Sequence, residues 1–276
     1  FKSDQDAFCV YSDSNNTMKR LGVHVAQTSY AFGLKALEDM IFFIFDVINL
    51  GEQDLDSLYF GLYVDIDVGN VSGGDPEYAD DHVGFEKSLN LLYFYDDGYT
   101  SEWVGNTTGH FGCAFLKTPL VNGEELGVTD WHYNLYDDDM NLDTVQYGIM
   151  SSDPRLFNSS LGARYFHIGA LPTLHYDDPT TIPTGGLDVV AIMSSGPYRL
   201  QVGDTLTFVT AIVAGNDLGE LLTNTLMARK AAELNFEMAK PPSSPTLNAV
   251  AGDGRVTLYW DNRPERERDP FTNRLD

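Results

Sequence analysis

The chain has 276 residues, 43% of them apolar, so it can bury a sizeable core, and disorder throughout is excluded. Lys and Arg number 17 against 41 Asp and Glu, a net charge of −24. That speaks against a nucleic-acid partner, because phosphate contacts need a basic face, and against electrostatic docking on anionic lipid.

Strands come first along the chain. Residues 21–30 (LGVHVAQTSY) alternate apolar and polar positions. Residues 40–49 (MIFFIFDVIN) read as a strand buried on both faces, and 58–64 (LYFGLYV) as the next. The short GEQDLD segment between them predicts that the two pair as a hairpin. Further strands are expected at 89–95 and 110–116. Residues 122–183 are rich in Gly, Asp and Pro and read as loops, with a short helix near Trp131. Strong strands follow at 187–193 and 205–213, with Gly196-Pro197 read as a turn between them.

One segment has helical spacing. Leu221, Leu222, Thr225, Ala228 and Ala232 fall on one face of a helix expected over 217–238, with Asn216 or Asp217 as N-cap and Glu220 in the first turn. Residues 239–246 form a stiff Pro-rich linker. Residues 247–260 then read as strand, Gly-Asp-Gly turn and strand. Many short strands with one late helix predict an all-β fold, an antiparallel β-sandwich over residues 1–238 that carries a C-terminal helix. The longest apolar stretch, residues 40–45, is strand-sized, so no transmembrane segment is expected.

The acidity is uneven. Residues 52–102 hold thirteen acids and one base, Lys87; residues 118–154 hold eight acids and no base. Carboxylates this dense repel one another unless solvent disperses them or cations bridge them. Asp65 and Asp67, two apart at a strand end, share a face. With Asp80, Asp81, Asp96 and Asp97, and amide oxygens from Asn70 and Asn90, they could supply the six to eight oxygens that calcium takes. A second candidate is the alternating run Asp137, Asp139, Asn141, Asp143, although the glycine and bidentate Glu of an EF-hand are missing. Both runs also read as solvated turns.

Catalytic signatures are absent. The six histidines form no H-x-x-x-H or H-E-x-x-H pair, and neither G-x-S-x-G nor a phosphate loop occurs. Tyr93, Tyr95, Tyr99, Trp103, Trp131, Tyr133 and Tyr136 lie among Asp and Gly, which suits sugar stacking and equally an ordinary core. Cys9 and Cys113 could form one disulfide or remain free thiols.

The stretch PPSSPTLNAVAGDGRVTLYWDN (residues 241–262) resembles the start of a fibronectin type III domain, with Trp260 at the place of that family's core tryptophan. The resemblance implies an immunoglobulin-like domain begun at residues 247–276, and a chain that is a fragment of a longer polypeptide. The preceding blocks IFFIFDVINLGEQDLDSLYFGLYVDIDVG, DDHVGFEKSLNLLYFYDDG and SSGPYRLQVGDTLTFVTAIVAGNDLGELLTNTLMA resemble an uncharacterised β-sandwich module of large secreted proteins of Bacteroidetes-like bacteria, of the kind exported by the type IX system. That resemblance implies an extracellular or cell-surface location and no reaction. The expectation is therefore a non-enzymatic structural, adhesive or assembly module stabilised by Ca2+, with other surface proteins, polysaccharide or further copies of itself as partners. The alternative is a carbohydrate- or ligand-binding accessory module of a secreted hydrolase.

Overall fold

A computed structural model describes residues 2–17, 19–69, 78–96, 108–136, 142–170, 173–237 and 243–268. The chain divides into two compact units, Ser3–Arg229 and Lys230–Asp276.

The first unit is built mainly of β-strands. Its large sheet has seven antiparallel strands in the order β1 (Gln5–Ser12), β2 (Val23–Ala31), β3 (Met40–Asn49), β12 (Thr205–Gly215), β7 (His110–Lys117), β6 (Leu91–Asp96) and β5 (Asp81–Glu86). A smaller antiparallel sheet has the order β10 (Asp130–Leu135), β11 (Val189–Leu200), β4 (Leu55–Asp65). The short strands β8 (Leu120–Val121) and β9 (Glu124–Glu125) pair with each other. One hydrophobic core takes side chains from both main sheets. Phe60 of β4 stacks on Phe208 of β12 at 4.3 Å and meets Phe45 of β3 at 5.2 Å and Phe115 of β7 at 5.9 Å.

The expected hairpin of residues 40–49 with 58–64 does not form. β3 pairs with β2 and β12, while β4 pairs with β11 in the other sheet. The segment between them is a corner rather than a hairpin turn. Asn49 is fully buried there, donating from Nδ2 to the carbonyls of Gln53 (2.8 Å) and Leu200 (3.1 Å) and accepting from the Gly51 N–H. Gly22 and Gly51 let two backbones cross at this corner: a Cβ on Gly22, whose φ is +79°, would lie 2.4 Å from the Gly51 Cα. Gly196-Pro197 likewise is not a turn. It lies inside the twelve-residue β11, where the register against β4 shifts between Ser195 and Tyr198, and a bulge tolerates the missing proline N–H.

The middle of the chain is more ordered than its composition suggests. Trp131 sits in β10, not in a helix, and three short helices follow: α1 (Asp143–Met150), α2 (Pro154–Phe157) and α3 (Gly162–Tyr165). Val145 and Ile149 of α1, and Tyr165 and Phe166 at the end of α3, pack on Val190 and Ile192 of β11. This second core covers the face of the small sheet turned away from the first.

The late helix, α4 (Leu218–Glu233), forms as expected but ends five residues early, because Asn235 and Phe236 adopt left-handed backbone conformations and the Phe236 N–H closes back on the Ala231 carbonyl. Leu221, Thr225, Ala228 and Ala232 are buried and Leu222 is half-buried. Asp217 caps the helix through the Glu220 N–H (2.8 Å), and Glu220 reaches back to the Asn216 N–H (2.9 Å). Asp217→Ala should therefore cost about 1 kcal/mol in denaturant unfolding. No helix among the described residues is long and apolar enough to cross a membrane.

In the second unit, β13 (Leu247–Gly252) and β14 (Arg255–Trp260) form a two-residue-turn hairpin pairing Leu247 with Trp260 through Gly252 with Arg255. Trp260 is exposed.

Candidate functional site

Two polar constellations stand out in the first unit. One lies where several strands begin and end. Asp65 closes β4, Asp96 closes β6, Asp81 opens β5 opposite Asp96, and Asp188 immediately precedes β11. Pairing of Val190 with Asp65 brings Asp188 beside the end of β4. Asp65, Asp67 and Asp188, with Tyr78 and Tyr136, line one open cleft of about 500 Å³. Partial burial, and then Asp67, push the Asp65 carboxyl above the usual range. Burial, with Asp65, Tyr136 and Asp188 nearby, pushes the Tyr63 hydroxyl up as well.

Asp81 does not line this cleft and is 1% exposed. Its Oδ1 accepts from the Val68 N–H at 2.9 Å, while its buried Oδ2 meets no hydrogen-bond donor among the described residues. Burial is the main reason its carboxyl is pushed up to about 7, and Asp67, Asp80 and Asp96 add repulsion. An ionised carboxylate with an unmet buried oxygen is costly, and either a proton or a cation removes the cost.

The sequence-derived cation ligands are thus distributed as follows. Asp65 and Asp67 share the cleft; Asp81 lies within electrostatic reach of Asp67, Asp80 and Asp96. Asp143 is exposed in the first turn of α1 and does not line the cleft. Asp97, Asp137, Asp139 and Asn141 lie outside the described residues, as do Asn70, Tyr99 and Trp103. Asn90 does not join the acids: its Oδ1 accepts from the Val128 N–H at 3.0 Å. Among the described residues no three His, Cys, Asp or Glu side chains stand close enough together to hold a metal ion as they are. Of the aromatic candidates, Trp131 and Tyr133 belong to the core, Tyr93 and Tyr95 are half-buried, and Tyr136 is exposed in the acidic cleft.

The second constellation was not visible from local motifs. Trp131 and Tyr176 form a parallel bridge, which sets Asp130-Trp131-His132 alongside His175-Tyr176-Asp177. The acid and the histidine are swapped between the two triplets, so each acid meets a histidine. His132 Nδ1 lies 2.9 Å from Asp177 Oδ1, and His175 Nδ1 lies 2.6 Å from Asp130 Oδ1. Ser152 joins them, 2.9 Å from His132 Nε2 and donating to Asp130 at 2.6 Å. Asp177 accepts further from the N–H groups of Tyr133 (2.9 Å) and His167 (2.7 Å). Phe85 packs on the aromatic side of both triplets, 5.6 Å from Trp131 and 5.5 Å from Tyr176.

Ser152, His132 and Asp177 have the connectivity of a nucleophile, base and orienting acid. Their surroundings do not suit that chemistry. Ser152 is 3% exposed, and its single proton is directed at Asp130 rather than at the imidazole. The arrangement instead ties β10, the turn after α1 and the 173–178 segment together. A second cleft, about 810 Å³, is lined by residues 19–23, 51–59 and Tyr147, none of them a member of either constellation, and its Asp54 already pairs with Arg199 at 3.0 Å. Its charged lining groups are of both signs, Lys19 and Arg20 with Glu52, Asp54 and Asp56, whereas those of the acidic cleft are all carboxylates, so the acidic cleft is the better candidate cation site.

Both cysteines are free; Cys9 is exposed, whereas Cys113 is buried, with its thiol pushed up to about 12 by that burial. Compared with protein-family models and with curated proteins, the chain matches none.

Proposed function

We propose that this chain is a non-enzymatic structural or adhesive module of a secreted, multidomain surface protein, stabilised by calcium at the acidic strand ends. In this reading the two sheets of the first unit are a β-sandwich, and the Leu247–Trp260 hairpin is the opening of a fibronectin type III domain. The observation that carries the proposal is the gathering of Asp65, Asp67 and Asp188 around one cleft, with buried Asp81 in electrostatic reach of Asp67 and holding an oxygen that no donor among the described residues meets. Close carboxylates repel by about 1 kcal/mol per pair even in water-like surroundings, and more where water is excluded. A divalent cation removes that cost and draws the strand ends together. The sealed state of Ser152 supports the non-enzymatic side of the reading.

Calcium should raise the melting temperature and a chelator should lower it, because an ion bound only by the folded state stabilises it by mass action. Asp67→Ala should abolish that dependence while leaving the fold intact at lower pH. An unchanged melting temperature on adding calcium would leave the acidic end as a solvated surface.

Tyr78 and Tyr136 beside the same carboxylates favour a second reading, a carbohydrate-binding accessory module. Aromatic faces and carboxylates together suit stacking and hydrogen bonding to a sugar. Tyr136→Ala would then weaken binding to an oligosaccharide panel without altering the calcium response.

A further inference from the structure

Strand β1 ends the large sheet, and no strand among the described residues pairs with its outer edge. On its inner side it pairs with β2 without a break, from Gln5 with Ala31 to Ser12 with His24. An eight-residue strand open on one side presents a row of N–H and C=O groups, and proteins usually blunt such an edge with a charge, a proline or a bulge. β1 has none of these over Ala7, Phe8, Cys9, Val10 and Tyr11. Phe8 is 68% exposed, Val10 58% and Tyr11 48%.

The charge distribution says what can approach. Residues 1–37 carry Lys2, Lys19, Arg20 and Lys35 against Asp4, Asp6 and Asp13, a net charge of +1, which leaves −25 on the rest of the chain. Within β1 itself the single charge is Asp6, so two copies meeting along this edge face less repulsion than over the acidic remainder of the chain.

We infer that the β1 edge is an interface with a second copy of this chain, the two strands pairing antiparallel about a two-fold axis at Cys9. Such an interface is self-complementary by symmetry. In this register Phe8 lies opposite Val10, Ala7 opposite Tyr11 and Asp6 opposite Ser12. Apolar side chains meet apolar ones, and no like charges face each other. A foreign strand would need its own complementary sequence, whereas this register is already present in the chain. One strand pair is small beside the roughly 1,200 Å² of a stable interface, so the dimer is weak and concentration-dependent.

Cys9 reports on the register. Opposed residues of an antiparallel pair have Cα atoms about 4.5–5.5 Å apart, within the range a disulfide spans. Oxidised glutathione would convert the two thiols to one disulfide, taking up two electrons and two protons to become two reduced glutathione molecules.

The test is sedimentation across the micromolar range, with glutathione cross-linking alongside, in chelator so that calcium plays no part. The expected result is a concentration-dependent dimer that cross-links through Cys9. Val10→Lys should abolish the dimer and slow cross-linking at least tenfold while leaving melting unchanged. Cys9→Ser should dimerise without cross-linking. A thiol moved to another exposed site, Leu120→Cys in the Cys9→Ser background, should cross-link no faster than Val10→Lys. A monomer at every concentration would overturn the inference, as would cross-linking at Cys9 no faster than at position 120. Binding of an unrelated extended peptide to a chain that stays monomeric would overturn it too, since the edge would then serve a foreign strand.

Discussion

Asp81→Asn should stabilise the protein at and above neutral pH in calcium-free buffer, by up to about 4 kcal/mol, with little effect at pH 4 and below. The ordinary carboxyl value is 3.8, and burial, reinforced by Asp67, Asp80 and Asp96, pushes Asp81 to about 7 in the folded chain. Between those values the folded chain holds a proton that the unfolded chain has released. The contribution of Asp81 to stability is therefore greatest below about pH 4, falls as pH rises, and is wholly lost once pH passes about 7. Asparagine keeps the acceptor for the Val68 N–H and puts an amide nitrogen where Oδ2 meets no donor among the described residues. Denaturant unfolding from pH 4 to pH 8 checks this: the wild type should lose stability over that span, relative to the variant. A variant less stable than wild type at pH 8 without calcium would mean that the ionised carboxylate makes a favourable contact.

Asp177→Ala should cost about 3–5 kcal/mol, because it removes the partner of a buried histidine and of two backbone donors, one buried and one half-buried, together. Asp177 is itself buried, and it accepts from His132, Tyr133 and His167. Ser152→Ala should cost less, about 1–3 kcal/mol, since Asp130 keeps His175 as a partner. His175→Ala should cost less than about 1 kcal/mol, because its side chain is 60% exposed and solvent takes over its role. Urea unfolding of the three variants reads this order directly. A large loss from His175→Ala with little from Asp177→Ala would contradict a clamp organised around the buried pair.

Much of the strand content was legible because β3, β6, β7, β11 and β12 are runs of β-branched and aromatic residues with few alternatives to burial. The partner of each strand was less so. A short turn between β3 and β4 predicts a hairpin, but Asn49 turns the chain at that point into the other sheet by binding carbonyls 4 and 151 residues away. β10 was missed, its residues being read as loop with a short helix near Trp131, because Asp130, His132 and Asn134 alternate along it as polar positions. The first two are buried through histidine and carboxylate partners that arrive 45 residues later. The Asp-Trp-His and His-Tyr-Asp triplets are visible in the sequence, yet nothing local says they run side by side.

The acidic cleft was half legible. Asp65 and Asp67 share it as their spacing at a strand end requires, whereas Asp188 enters only through the pairing of β11 with β4. Asp81 was counted as one more carboxylate in an acidic run, and its burial depends on packing that no spacing rule contains.

The calcium reading turns on whether these carboxylates bind an ion together. Calorimetric titration of the calcium-free chain with calcium at neutral pH tests that most directly. Saturable binding is expected at the acidic strand ends, lost in Asp65→Asn and in Asp67→Asn but retained in Asp143→Asn, whose residue on α1 does not line the cleft. Absence of saturable heat in the wild type, or binding that survives loss of both Asp65 and Asp67, would contradict it.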